Sequence, residues 1–255
     1  MEHKDFNIEQ LRVLVFESRA SLGVTAAKLV SDSIKILLQE KPEINIIFAA
    51  APSQNEFLEA LLKDDSIPWA SINAFHMDEY LGLPKNATQL FSQFLKIRLF
   101  DHRPFKTVNL INGSSLDFNE ECSRYATLLQ KHPPDIVCMG IGENTHIAFN
   151  DPGEADFNDK QMVKVVALDA VCRQQQVNDC CFNQLADVPK FAITLTIPIL
   201  TSAPFIFCMV PGKVKANAVA RTLYEPVSDK YPSTVLRTKT GAILLTDNDS
   251  FSLCG

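Results

Sequence analysis

No Cys-x-x-Cys pair occurs in this sequence, and no basic block or stripe interrupts its mixed charge. The first absence, with an odd count of seven cysteines, argues against both a disulfide framework and a zinc site. Cys138 and Cys208 lie inside apolar runs and read as core thiols, which fits a reducing compartment, the cytoplasm. The second absence, with a formal net charge of -6, argues against nucleic acid as a partner. A small anion stays open as a ligand, because a phosphate site needs only a few local donors. The segment Met1-Glu2-His3-Lys4-Asp5 has no apolar signal core. Residues 191–212 carry no charge over about a membrane-spanning length. Pro198 and Pro204 interrupt that run, so two buried strands joined by a turn are expected, and no membrane partner. Internal repeats, low-complexity tracts and long linkers are also missing. The 255 residues are therefore read as a single domain over 1–255, with 46% hydrophobic residues to fill its core.

What is present is an alternation of apolar strands and helices. Strands are expected at Leu11–Phe16, Ile44–Ala50, Ala70–Phe75, Asp135–Met139, Val163–Ala167, Phe191–Thr196, Phe205–Val210 and Ala242–Leu245. Helices are expected at Gly23–Gln39, Glu56–Leu62, Leu90–Phe100, Asn119–Lys131 and Val214–Thr222. Continuous runs such as Ile44–Ala50 suit strands buried on both faces. The pattern predicts an α/β fold: a three-layer, Rossmann-like open sheet, mostly parallel, with helices on both faces. In such folds the ligand lies beyond the carboxyl ends of the strands.

Three segments placed just after strands hold candidate chemistry. Met77-Asp78-Glu79-Tyr80 puts two acids in an apolar setting, where burial and a like charge raise a carboxyl group toward general-base range. A solvated loop with turn-forming acids fits the same four residues. The run from Gly140 to Pro152 (GIGENTHIAFNDP) has glycines for a tight turn and close ligand approach. It also places His146 three residues after Glu143 and five before Asp151, either of which could orient the ring. A histidine that merely bonds within its loop fits as well. Pro52-Ser53-Gln54-Asn55 and Pro211-Gly212-Lys213-Val214-Lys215 each lie between a strand and a helix. Ser53 could cap its helix, and free N–H groups there attract phosphate. Lysines in a first helical turn oppose the helix dipole and hint at an anion, although solvated lysines would look alike.

Phe75–Pro84 (FHMDEYLGLP) and Gly140–Pro152, with Val188–Thr194 and Val210–Ala216 in the same order, resemble the signatures of the glucosamine-6-phosphate deaminase/isomerase family. The resemblance implies an enzyme of amino-sugar metabolism that converts glucosamine or galactosamine 6-phosphate to a ketohexose 6-phosphate and ammonia. It implies Asp78 as the base between C2 and C1, and His146 as the ring-opening acid/base with Asp151, Glu143 and Asn144 around it. Ser53, Gln54, Glu79, Gly142, Arg173 and Lys215 would hold the substrate and its phosphate. No metal or organic cofactor is expected, and a homo-oligomer is possible. Four positions depart from the pattern. Phe48–Asn55 replaces a glycine-rich phosphate loop, and Asn144 stands where Asp is frequent. Thr145 replaces a common glycine. Gln176 stands where an arginine is expected, with Arg173 near enough to substitute. A 6-phosphogluconolactonase-type hydrolase and a non-catalytic sugar-phosphate sensor are the alternatives. Tyr80 and the run His146–Asn150 depart from the lactonase pattern.

Overall fold

The computed structural model describes residues 4–168, 170–178 and 181–254. In chain order the elements are β1 (Lys4–Ile8), β2 (Leu11–Phe16), α1 (Arg19–Glu40), β3 (Ile44–Phe48), α2 (Asn55–Leu62), β4 (Ile72–His76) and β5 (Asp78–Tyr80). Then follow α3 (Phe91–Arg98), β6 (Thr107–Asn109), α4 (Phe118–Lys131), β7 (Ile136–Met139), β8 (Val163–Ala167) and α5 (Ala170–Asn178). The last are β9 (Phe191–Leu195), α6 (Ile197–Leu200), β10 (Phe205–Val210), α7 (Ala216–Tyr224) and β11 (Ala242–Asp247).

Eight strands form the main sheet in the order β1-β2-β11-β10-β7-β3-β4-β6. Every pairing is parallel except β1 with β2. Strand alternation divides the core between the two faces. In β2, Leu14 and Phe16 pack with Ala26, Val30 and Ile34 of α1, while Val13 and Val15 join the cluster that holds Tyr125 of α4 and Val219 of α7. The apolar runs of the sequence are therefore continuous because both faces are covered. Helix α1 starts at Arg19, four residues before the expected start, because Ser18 and Ser21 form a reciprocal capping box.

The sheet is mostly parallel as expected, but β8 and β9 lie outside it. They pair antiparallel with each other, and β9 pairs antiparallel with β5, in a separate three-stranded sheet. The uncharged run 191–212 is thus two strands of different sheets, joined by the short helix α6. No helix among the described residues is long and apolar enough to cross a membrane.

From β3 the chain builds outward through β4 to β6, then returns to lay β7, β10 and β11 on the other side of β3. The loops after β3 and β7 therefore diverge over the sheet's carboxyl edge, which is where an open α/β sheet offers a crevice.

Candidate active site

A cavity of about 430 Å³ occupies that crevice. Ser53 reaches it from the loop after β3, Asp78 from β5, His146 from the loop after β7 and Lys215 from the turn after β10. Four of the residues singled out by motif are thus brought to one cavity, although they span more than half the chain.

Strand β5 pairs with β9, Asp78 lying opposite Thr194. Successive side chains of a strand point to opposite faces, so the two adjacent acids part company. Asp78 lines the cavity and is only 8% exposed. Burial, and then the charge of Glu79, push its carboxyl group well above the ordinary range. Glu79 points the other way and is fully buried. It accepts backbone N–H bonds from Tyr80 at 3.0 Å, Phe91 at 3.0 Å and Ser92 at 2.9 Å. Phe91 and Ser92 open α3, so Glu79 satisfies that helix's free donors rather than a substrate. Its placement corrects the expectation that it binds ligand. Burial still raises its carboxyl group, against the lowering effect of those bonds.

The geometry around His146 fixes its tautomer. The backbone N–H of His146 donates to Asn144 at 3.1 Å, and a backbone nitrogen only donates, so the amide oxygen must face it. The amide nitrogen then donates to Asp151 Oδ1 at 2.8 Å. His146 Nδ1 lies 2.7 Å from Asn144 Oδ1 and 3.0 Å from Asp151 Oδ1. Two acceptors meet that nitrogen, so it carries a proton; in the neutral ring Nε2 is then the nitrogen with the lone pair, and the ring lines the cavity. Asn144 therefore bridges the histidine and the carboxylate. Glu143 is half-buried and is not among the cavity-lining residues, so the orienting carboxylate is Asp151.

Gly142 is required by this ring. A Cβ there would lie 2.1 Å from His146 Cε1, well inside contact distance. The loop is pinned to the small sheet by two residues with no role assigned from the sequence. The Thr194 hydroxyl accepts from the Phe149 N–H at 3.1 Å, and Asn150 Nδ2 donates to Leu195 O at 2.8 Å. Thr145 adopts φ 75°, the left-handed region where glycine is at ease and a β-branched residue is strained. Its carbonyl accepts from Ser233 N at 3.0 Å, which helps hold the loop in that conformation.

The cavity also has cations in its lining. Lys215 is 8% exposed and lies in a 3₁₀ turn that opens at Gly212 with φ 94°. Asp247 at the end of β11 accepts the Gly212 N–H at 3.0 Å and holds that turn. Ser53 is not the cap of α2, as its sequence position suggested. It lies within the 3₁₀ turn Pro52–Gln54 and accepts from Gln54 Nε2 at 3.1 Å. The Gln54 amide is buried and faces the Met139 and Met209 carbonyls, which places it beneath the cavity rather than in it. Arg173 likewise turns away: its guanidinium donates to Leu185 O at 2.6 Å and Val188 O at 2.9 Å. Gln176 lines the cavity instead.

Two cations were not found from the sequence. Arg19 opens α1, donates to both carboxylate oxygens of Glu56 at 2.9 and 3.0 Å, and to Pro52 O at 3.1 Å. Arg98 ends α3, and both arginines line the cavity. Isolated arginines at helix ends carry no motif, so only the packing of α1 and α3 reveals them. The Cys180-Cys181 pair is described only at Cys181, which lines the cavity; Cys180 lies outside the described residues.

Residues 17–245 match the family described as glucosamine-6-phosphate isomerases/6-phosphogluconolactonase. The chain is 31% identical over 244 residues to the glucosamine-6-phosphate deaminases of Bacillus cytotoxicus and Bacillus cereus, covering 96% of this chain and 89% of each relative. Its fold superposes on a monomeric glucosamine-6-phosphate deaminase with a TM-score of 0.86 and 29% identity, over 94% of this chain and 99% of that one. The 6-phosphogluconolactonase of Trypanosoma brucei shares the fold, with a TM-score of 0.79 at 16% identity over 95% and 98% of the two chains. The motifs, the sheet and the divergent loops that enclose the cavity thus have one origin: the chain belongs to the family of glucosamine-6-phosphate isomerases and 6-phosphogluconolactonases.

Proposed function

We infer that the protein is an aldose–ketose isomerase/deaminase acting on an amino-sugar 6-phosphate, glucosamine 6-phosphate or its galacto epimer, as one domain over 1–255. The observation that carries the reading is the pairing, on one cavity, of a buried carboxyl group raised well above its ordinary range with an imidazole whose Nδ1 is held by Asp151 and Asn144. The relatives named as deaminases support the choice of substrate.

The chemistry follows from those two groups. Nε2 of His146 relays a proton from the C1 hydroxyl toward the ring oxygen, which opens the ring to the 2-amino aldehyde. Asp78, ionised, takes the C2 proton, which is acidic because C1 is a carbonyl carbon. The electron pair moves into an enolamine as the former aldehyde oxygen takes up a proton that the nitrogen gives up, and the proton held by Asp78 returns to C1. The resulting ketimine adds one water and releases ammonia, leaving the ketose phosphate. A base in general acid–base catalysis contributes about 10²–10⁴-fold, and burial raises the Asp78 carboxyl group well above its ordinary range, which makes it a stronger base. Lys215 and Ser53 hold the phosphate end. The route uses side-chain acid–base groups alone. All five cysteines described as free thiols suit the reducing cytoplasm.

The test is incubation of the purified protein with glucosamine 6-phosphate and galactosamine 6-phosphate, following ammonia and ketose phosphate. Release of both products, abolished by Asp78→Asn, is the expected result and selects the epimer. Silence on both sugars with hydrolysis of 6-phosphogluconolactone would overturn the reading in favour of the lactonase branch of the family.

A further inference from the structure

We propose that Arg98 is the arginine that grips the phosphate monoester of the substrate, sharing it with the buried Lys215 that lines the same cavity. This rests on the amino-sugar-phosphate reading, which supplies the dianion.

Three cations line the cavity, and their surroundings differ. Arg19 is committed: both Glu56 oxygens and the Pro52 carbonyl occupy its guanidinium, so its charge is already neutralised. Lys215 is buried and offers a single ammonium. Arg98 is exposed, and among the described residues no carboxylate pairs with it. Only its Nε is engaged, donating to the neutral Asn55 oxygen at 2.8 Å. A guanidinium has five N–H donors in a fixed plane, so the four terminal ones have no protein acceptor in that set.

The plane is also oriented. The guanidinium carbon sits 4.1 Å from the centre of the Phe94 ring, and Phe94 itself lines the cavity. Asn55, which holds Nε, is the first residue of α2 and follows the Ser53-Gln54 turn. Arg98 is therefore stacked on one cavity wall and tied to the loop that carries Ser53. A fork held in this way loses little freedom on meeting a phosphate and presents parallel donors to two of its oxygens. Near neutral pH a phosphate monoester carries about -1.5 to -2 charges, more than Lys215 alone balances. Gln176, a lining residue that departs from the family pattern, is neutral. A chain of net charge -6 repels anions at long range, so local cations must do the attracting.

The experiment compares wild type with Arg98→Met and Arg98→Lys. Binding of inorganic phosphate is measured by calorimetry, and KM and kcat are measured by ammonia release from glucosamine 6-phosphate. Arg98→Met is expected to weaken phosphate binding and raise KM by about tenfold or more, roughly the worth of a charged hydrogen-bonded contact, with kcat changed far less. Arg98→Lys restores part of both, because it returns the charge without the fork. Weakened phosphate binding in Arg98→Met, with a wild type that releases no ammonia, would leave the clamp standing and remove the deaminase reading. A wild type that releases ammonia while Arg98→Met binds phosphate with unchanged affinity and has unchanged KM would overturn the clamp. So would a loss of kcat alone.

Discussion

His76 is the last residue of β4, two positions before Asp78, and its ring is fully buried. Its Nε2 accepts the Ile111 N–H at 2.8 Å, so the proton of the neutral ring sits on Nδ1, which has no partner among the described residues. Burial pushes this imidazole down to about 3. A histidine held neutral in the fold but free to charge in the unfolded chain costs stability as the pH falls. The sign is set by proton counting: below the unfolded value of about 6.5 the unfolded chain binds a proton that the fold refuses. At pH 5 the penalty is about 1.5 units at about 1.4 kcal/mol each, or about 2 kcal/mol. That figure depends on the unfolded value alone as long as the folded one stays more than a unit below pH 5. Asp78 and Glu79 act in the opposite direction, because their raised carboxyl groups hold protons in the fold that the unfolded chain releases. Comparison with His76→Gln cancels them. Glutamine keeps an acceptor for Ile111 and does not titrate. Urea unfolding at pH 7.5 and pH 5 is expected to show wild type losing about 2 kcal/mol more than His76→Gln over that interval. Parallel losses in the two proteins would refute the argument and mean that the ring gains a proton partner in the fold.

Gly142→Ala forces a Cβ into the His146 ring and is expected to lower kcat about 100-fold, the cost of displacing a catalytic group by about 1 Å. Ammonia-release kinetics beside an unchanged circular dichroism spectrum would check it, and full activity would remove His146 from the chemistry. Glu79→Gln removes the like charge beside Asp78, so the Asp78 carboxyl group falls and the acid limb of kcat/KM moves to lower pH. The same change puts an amide where three N–H groups need a carboxylate and should cost about 1–3 kcal/mol in urea unfolding. A pH profile that stays in place would mean that another group sets that limb.

Long apolar runs made most of the sheet legible. Leu11–Phe16, Val163–Ala167 and Phe205–Val210 match their strands end to end; the last is a continuous apolar run covered on both faces, and the other two are apolar runs broken only by Arg12 and Lys164. Strands β1 and β6 escaped for the converse reason: they lie at the two edges of the sheet, and Lys4-Asp5 and Thr107 are exposed. Helix α5, with its Arg173–Gln176 run, shows no apolar period to read. The antiparallel sheet was hidden because β5 is three residues long and finds β9 more than a hundred positions away. At the site, loop residues carried signatures, and Asp78, His146 and Lys215 reach the cavity from three separate segments. Side-chain direction was not legible. Glu79, Gln54 and Arg173 sit in or near the right segments and point elsewhere, while Arg19 and Arg98 come from helix ends that only tertiary packing brings near.

The two neighbouring acids show why direction matters more than identity here. As a dipeptide, Asp78-Glu79 offers no ground for choosing a base. A three-residue strand separates the two by its two-residue period: one carboxyl faces the cavity and the other faces the first turn of α3. Glu79 receives three backbone donors, and that arrangement offsets the cost of its burial. Asp78 makes no side-chain hydrogen bond among the described contacts and bears the cost of desolvation in full, which is the state a carboxyl group needs if it is to accept a proton from carbon. The fold supports that uncompensated acid by securing the strand around it. Leu195 N donates to Met77 O at 2.8 Å, and the Glu79 bonds anchor the other side. Two of those bonds, from Phe91 and Ser92, fix the start of α3, an eight-residue helix whose last residue is Arg98. At about 1.5 Å per residue the helix spans about 12 Å, so the acid that secures the strand of Asp78 also sets where Arg98 meets the cavity.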